Sequence, residues 1–194
     1  MITKKLQSQL EFIAEIDKLK TIIRRTKLIS ENRLENDAEH SWHLAIMAVT
    51  LEEYADEPVE ISRVIKMLLI HDLVEIDAGD TFIYDEDMNL SKQERERQAA
   101  KRIFGLLPKD QENLFWNLWE EFEEEKTPEA RFATALDRLQ PIIHNYHNQG
   151  GTWKEFNITR EQVEKKISKI SKGSKKLWEV TEKILTESQE KGYL

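Results

Sequence analysis

Val64-Ile65-Lys66-Met67-Leu68-Leu69-Ile70-His71-Asp72 is the stretch on which the fold turns. Val64, Ile65, Leu68, Leu69 and Ile70 are apolar on so many sides of a helix that the segment is expected to run through the core. It opens after Pro58 and delivers two polar side chains, His71 and Asp72, at its end. Desolvated polar groups without partners cost free energy, so His71 and Asp72 need partners of their own. A divalent ion is one good solution, because imidazole nitrogen and carboxylate oxygen suit Zn, Mn, Fe, Co or Ni.

Outward from that segment the chain reads as all-α, a helical bundle of about six to seven helices. Gly and Pro together number ten in 194 residues, and apolar residues recur at intervals of three and four, which leaves strands little room. Leu6, Leu10, Ile13, Ile16, Leu19, Ile22 and Ile23 place one stripe on a first helix expected to end near Arg24 to Leu28. Asn36 with Glu39 is a capping-box signal for a second helix, continued by Leu44, Met47, Val49 and Leu51 to about Tyr54. Asp77 to Asp80 reads as a turn and Tyr84 to Asn89 as an exposed loop. Ser91 with Glu94 caps a fourth helix, Pro108 and Asp110 start a fifth, and Thr127-Pro128 starts a sixth that Gly150 and Gly151 stop. Pro141 has no N–H to give the Asp137 carbonyl, so a kink or loosening is expected beside Asp137. Thr159 with Gln162 caps a last long helix through Val163, Ile167, Ile170, Leu177 and Ile184, packed on the domain or on a second subunit.

Composition narrows the function. Hydrophobic residues at 39% and charged residues at 34% suit one globular domain, residues 1–194. The absence of cysteine removes disulfides, thiolate metal sites and cysteine nucleophiles, so any metal must use nitrogen and oxygen. A net charge of −8 argues against a nucleic-acid partner, whose binding depends on neutralising phosphates. Lys4, Lys5, Gln7 and Gln9 interrupt the start where a leader would be apolar, and no segment reads as a membrane span, which predicts a cytoplasmic protein. The Glu120–Glu125 and Lys165–Lys176 clusters read as solvated helix faces, and Trp42, Trp116, Trp119, Trp153 and Trp178 as packing residues.

His40 near the start of the second helix and Asp137 in the middle of the sixth are each able to project toward the end of the third. The order Glu39-His40-Ser41, Leu69-Ile70-His71-Asp72, Leu136-Asp137-Arg138-Leu139 resembles the H…HD…D signature of the HD-domain metal-dependent phosphohydrolases. Within them the likeness is to the HD-domain 5′-deoxynucleotidases, over about Phe12 to His147. Arg33-Leu34-Glu35-Asn36 before His40, Glu75 after Asp72, and Gly79-Asp80 make it more specific than the bare dipeptide.

The resemblance implies a single HD domain, with a metal-binding core at about 25–148 and a packing helix at about 159–188. It implies one divalent transition metal on His40, His71, Asp72 and Asp137, with Glu75 and Asp80 serving the chemistry and Arg25 facing the phosphate. The implied activity is a metal-dependent phosphomonoesterase releasing phosphate from (deoxy)ribonucleoside 5′-monophosphates, in a homodimer. Relatives often have Arg-Trp-Pro where this chain reads Arg25-Thr26-Lys27, which leaves sugar selectivity unassigned. Arg24 and Arg33 are alternatives for the phosphate. His43, His144 and His147 read as packing residues and Asp77 as a turn residue. Competing functions are an HD hydrolase of ppGpp-like, cyclic or triphosphate nucleotides, and a metal-stabilised interaction domain without turnover. The retained Glu75 and Asp80 speak against the last, since a structural site needs no acid or base.

Overall fold

Helix capping sets many of the element boundaries. The structure, a computed structural model, describes residues 2–85 and 91–194. The helices are α1 (Lys4–Ile16), α2 (Asp37–Leu51), α3 (Ile61–Ile70), α4 (Glu75–Ala78), α5 (Lys92–Phe104), α6 (Lys109–Glu124) and α7 (Pro128–His147). After α7 come α8 (Gly151–Glu155), α9 (Arg160–Ile167), α10 (Ile170–Gly173) and α11 (Lys175–Glu190). The Asn36 side chain accepts from Glu39 N at 3.0 Å while Glu39 Oε2 accepts from Asn36 N at 3.1 Å, the reciprocal bonds that start α2. Thr127 accepts from Ala130 N with Pro128 in the first turn, and Thr159 with Gln162 closes a second capping box at α9.

α7 is the axis of the molecule: α2, α3, α6, α10 and α11 all pack against it. Leu44, Leu68, Phe104, Phe132, Leu136, Ile170 and Leu185, all fully buried, belong to one core. Pro141 lies inside α7 without ending it. The apolar face of α11, with Leu177 and Leu185, is buried within this chain rather than left for a second subunit.

Several expectations are corrected. The first helix ends at Ile16, passes through a 3₁₀ segment at Asp17–Thr21, and gives way to β1 (Ile23–Lys27), which pairs antiparallel with β2 (Leu34–Asn36). The β-branched pair Ile22-Ile23 suits a strand, and Leu28 N donates to Arg33 O at 3.0 Å to close the connection. The α1 stripe does not face the core: Leu6, Leu10 and Ile13 are exposed, and only Phe12 of this helix is buried. Trp42 is 64% exposed and so is not a packing residue, whereas Trp119 and Trp153 are buried. α3 starts at Ile61 with Glu60 as its cap residue, later than Pro58.

The remaining differences lie later in the chain. Asp77 and Ala78 are helical, and the turn comes at Gly79, whose φ of 76° favours glycine. Ser91 makes no cap bond; its hydroxyl accepts from Arg95 instead. Of the expected loop at Tyr84 to Asn89, positions 86–89 lie outside the described residues. The last helix is broken into α9, α10 and α11. A Cβ on Gly173 would collide with the Arg131 carbonyl oxygen, so the chain presses backbone to backbone on α7 before Ser174 caps α11. The acidic and basic clusters are not wholly solvated either, since Glu121 pairs with Arg63 and Lys169 with Glu125.

Candidate metal and active site

Three elements bring the four expected ligands together. α3 ends at Ile70, and a 3₁₀ segment, His71–Val74, carries His71 and Asp72. α2 supplies His40 from its first turns, and the middle of α7 supplies Asp137. His40 Nε2 is 3.0 Å from Asp137 Oδ1 and 3.8 Å from Asp72 Oδ2; His71 Nε2 is 3.1 Å from Asp72 Oδ1 and 3.9 Å from Asp137 Oδ1. All four residues are buried.

These residues fit a divalent cation. Donor atoms bonded to one ion at about 2.1 Å stand about 3.0–3.4 Å apart, within the spread of separations found here. The Leu68 carbonyl, 2.9 Å from His71 Nδ1, can only accept, so the Nδ1 proton is fixed and Nε2 presents its lone pair inward. Nε2 of His71 is buried with no hydrogen-bond partner among the described residues, as expected of an atom aimed at a ligand. His40, His71 and Asp72 place one donor atom each within 4.8 Å of the others.

The electrostatics separate the carboxylates into two kinds. Burial works against the charge of Asp137, but Arg138, His40 and His71 hold it well below the usual range. Asp72 is lowered in the same way, against burial, by His71, Arg24 and His40. Glu75 is pushed well above its ordinary value by burial and by the neighbouring charges of Asp72, Asp37 and Asp80. Asp80 is raised by burial and Asp72, with Arg24 opposing. One cavity thus holds carboxylates whose charge is favoured beside others whose charge is disfavoured, the separation that acid–base catalysis uses.

That cavity, of about 230 Å³, is lined at one end by His71, Asp72, Glu75, Asp80 and Asp137. Its wall includes Arg24, Arg25, Thr26, Tyr84, Lys92, Arg138, Asn145 and Trp153. Strand alternation puts Arg24 and Thr26 on the same face of β1. Arg24 Nη1 is 3.0 Å from Asp37 Oδ1 and 3.1 Å from Asp72 Oδ2, and 4.0 Å from Asp80 Oδ1. Arg25 has no carboxylate partner among the described residues, and its guanidinium lies 6.0 Å from the centre of the Phe156 ring. Arg33 is bound instead to both oxygens of Glu39, outside the cavity.

Sequence reasoning missed Asp37 and the place of Arg24. Asp37 is fully buried and its carboxyl is raised to about 7 by burial and by Asp72. In the sequence it reads as an ordinary first-turn acid, and only the strand that precedes it brings a guanidinium to it. His43 and His144 pack together away from the ligands, 3.3 Å apart, as expected, and His147 is exposed.

A family model described as HD domain matches residues 16–178. The 5′-deoxynucleotidase HDDC2 of Danio rerio is 31% identical over 163 residues, 80% of each chain. The 5′-deoxynucleotidase HDDC2 of Homo sapiens is 32% identical over 71% of this chain and 66% of its own. Among solved structures, a predicted metal-dependent phosphohydrolase from Magnetospirillum magnetotacticum MS-1 superposes with a TM-score of 0.95 at 55% identity, covering 100% of this chain and 99% of its own. An HD-domain phosphohydrolase from Listeria innocua, at 18% identity and a TM-score of 0.60 over 92% of this chain and 99% of its own, shares the fold.

Proposed function

The chain belongs to the HD-domain family of metal-dependent phosphohydrolases, and from that premise we propose that it is a 5′-nucleotidase releasing phosphate from (deoxy)ribonucleoside 5′-monophosphates. The observation that carries the reading is the convergence of His40, His71, Asp72 and Asp137 beside a cavity that is also lined by the buried Glu75. One divalent transition metal is held by those four side chains, with Co, Mn, Zn, Fe and Ni all compatible with nitrogen and oxygen donors. Bound there, it supplies Lewis acidity toward a phosphate oxygen and makes water a nucleophile at neutral pH.

The chain's own residues do the rest. Arg25, free of carboxylate partners among the described residues, binds phosphoryl oxygens at the cavity wall. Arg24 keeps Asp37, Asp72 and Asp80 from repelling one another and so preserves the ligand geometry. Asp80, partly exposed, orients the water and takes its proton as the new P–O bond forms. Glu75, whose hold on a proton is strengthened by burial and by Asp72, Asp37 and Asp80, gives one to the 5′-oxygen as the old P–O bond breaks. The products are a nucleoside and inorganic phosphate.

Residues 1–194 are read as one HD domain, with the metal-binding core at about 25–148. A cytoplasmic location agrees with the finding that no helix of the described residues is long and apolar enough to cross a membrane. A homodimer is supported by the exposed apolar residues Trp42, Ile46 and Val49, spaced at helical intervals on α2. Light scattering on the purified protein tests it.

The deciding experiment assays metal-reconstituted protein for phosphate release from ribo- and deoxyribonucleoside 5′-monophosphates, with 3′-monophosphates and cyclic nucleotides as controls. Release from 5′-monophosphates, abolished together with metal content in His71→Ala and Asp72→Ala, is the expected result. Turnover of cyclic substrates alone, or full activity in either variant, overturns the assignment.

A further inference from the structure

Glu35 stands behind the metal site and takes no part in the proton transfers above. It is the middle residue of β2 and only 1% exposed. Its Oε1 accepts from Gln140 Nε2 at 2.7 Å. Its Oε2 faces two other nitrogens, His40 Nδ1 at 3.6 Å and Arg24 Nε at 3.7 Å. Glu35 Oε2, His40 Nδ1 and Arg24 Nε are each buried without a hydrogen-bond partner among the described residues. A carboxylate movement of a few tenths of an ångström turns these approaches into charge-assisted hydrogen bonds.

Burying an anion is costly unless it is paired. The bond to Gln140 does not account for a carboxylate, since a neutral carbonyl oxygen accepts from an amide equally well. The two facing nitrogens do account for it. His40 points its other nitrogen, Nε2, toward Asp137 and Asp72. A neutral imidazole has a lone pair on Nε2 only when its proton sits on Nδ1, the atom that faces Glu35. His71 solves the same problem with the Leu68 carbonyl.

We infer that Glu35 is a positioning residue for the metal site, accepting the His40 Nδ1–H through Oε2 so that Nε2 is presented to the cation, and tying Arg24 to the same oxygen. The inference rests on the proposed function, because it assigns His40 as a ligand. Glu35 acts through His40 and touches neither substrate nor cation. Outer partners of this kind change metal affinity by about 10–100-fold when removed.

The test compares wild-type protein with Glu35→Ala and the isosteric Glu35→Gln. Metal-stripped samples are titrated with Mn²⁺ by calorimetry, and the histidine ring nitrogens of Zn²⁺-loaded samples are observed by ¹⁵N NMR. The expected result is a His40 with its proton on Nδ1 in wild type and a loss of Mn²⁺ affinity of about 10–100-fold in Glu35→Ala. Glu35→Gln, which keeps a neutral acceptor and the side-chain volume, falls between the two and carries the test if the alanine variant does not fold. Unchanged Mn²⁺ affinity in the variants overturns this inference and leaves the metal site standing, whereas a His40 protonated on Nε2 in Zn²⁺-loaded wild type removes it from the ligands and overturns both. Wild-type protein that binds no Mn²⁺ overturns both.

Discussion

Nε2 of His40 lies 3.0 Å from Oδ1 of Asp137, a residue 97 positions further along the chain. Burial and Arg24 act against a charge on His40, yet its bond to Asp137 and the nearby carboxylates of Glu35 and Asp72 raise it to about 9. The site without metal is therefore held together by a proton between two prospective ligands. Asp137→Asn removes the strongest contact that favours that proton. The His40 ring should then titrate nearer 6.5, read by NMR in metal-free protein, and Mn²⁺ affinity should fall by at least about tenfold. A His40 that still titrates near 9 in this variant contradicts the arrangement.

The same proton must leave before His40 can bind a cation. Metal affinity should rise about tenfold per pH unit from neutrality and level off above about pH 9. Stability of the metal-free protein runs the opposite way. The folded value of His40, about 9, is above its unfolded value of 6.5, so its contribution is complete below 6.5 and is lost as pH rises through 9. His71, raised against its burial by Asp72 and Asp137, adds with the same sign. Melting of metal-stripped protein between pH 6 and 10 should show a falling Tm, and a saturating cation should flatten that fall.

What the sequence made legible was local or strongly periodic. The Asn36–Glu39 and Thr159–Gln162 boxes depend on residues three apart, and both form as expected. His40, His71, Asp72 and Asp137 stand out by their order along the chain, and the fold brings the four side chains together. What stayed hidden depended on distant backbone. Leu19, Ile22 and Ile23 keep a helical spacing, but pairing with β2 overrides it and makes a strand. Arg24 therefore enters the cavity by an alternation of two that a helical reading of Ile22 to Leu28 could not contain. The break at Gly173 is set by the Arg131 carbonyl, a contact that no pattern within the last helix records.

Arg24 and Arg25 are neighbours with opposite duties, and paired substitutions separate them. Arg24→Ala strands the buried carboxylates Asp37 and Asp72 and should destabilise metal-free protein by about 3–5 kcal/mol, measured by urea unfolding. Arg25→Ala breaks no ion pair among the described residues, so its unfolding midpoint should match wild type. Its cost should fall on the substrate. Loss of one charge-assisted phosphate contact predicts a drop of about 10–100-fold in kcat/KM for nucleoside 5′-monophosphates. Unaltered kcat/KM in Arg25→Ala removes it from the phosphate.

Asp37 tests the acid–base assignment without touching an assigned catalytic group. Its Oδ1 accepts from Arg24 at 3.0 Å, a bond that Asp37→Asn can keep, while the substitution removes a charge that helps hold the proton on Glu75. Glu75 should then lose its proton at a lower pH. Since it acts as the acid, the alkaline limb of the kcat profile should move to lower pH. Stability should respond as well: burial and Asp72 raise Asp37 to about 7, above its usual 3.8, so ionising it costs folding free energy as pH rises from 3.8 through 7. Asp37→Asn should accordingly be the more stable protein at about pH 8, with the gain disappearing below about pH 4. A stabilised variant with an unmoved alkaline limb means that Glu75 is not the group whose proton reaches the 5′-oxygen.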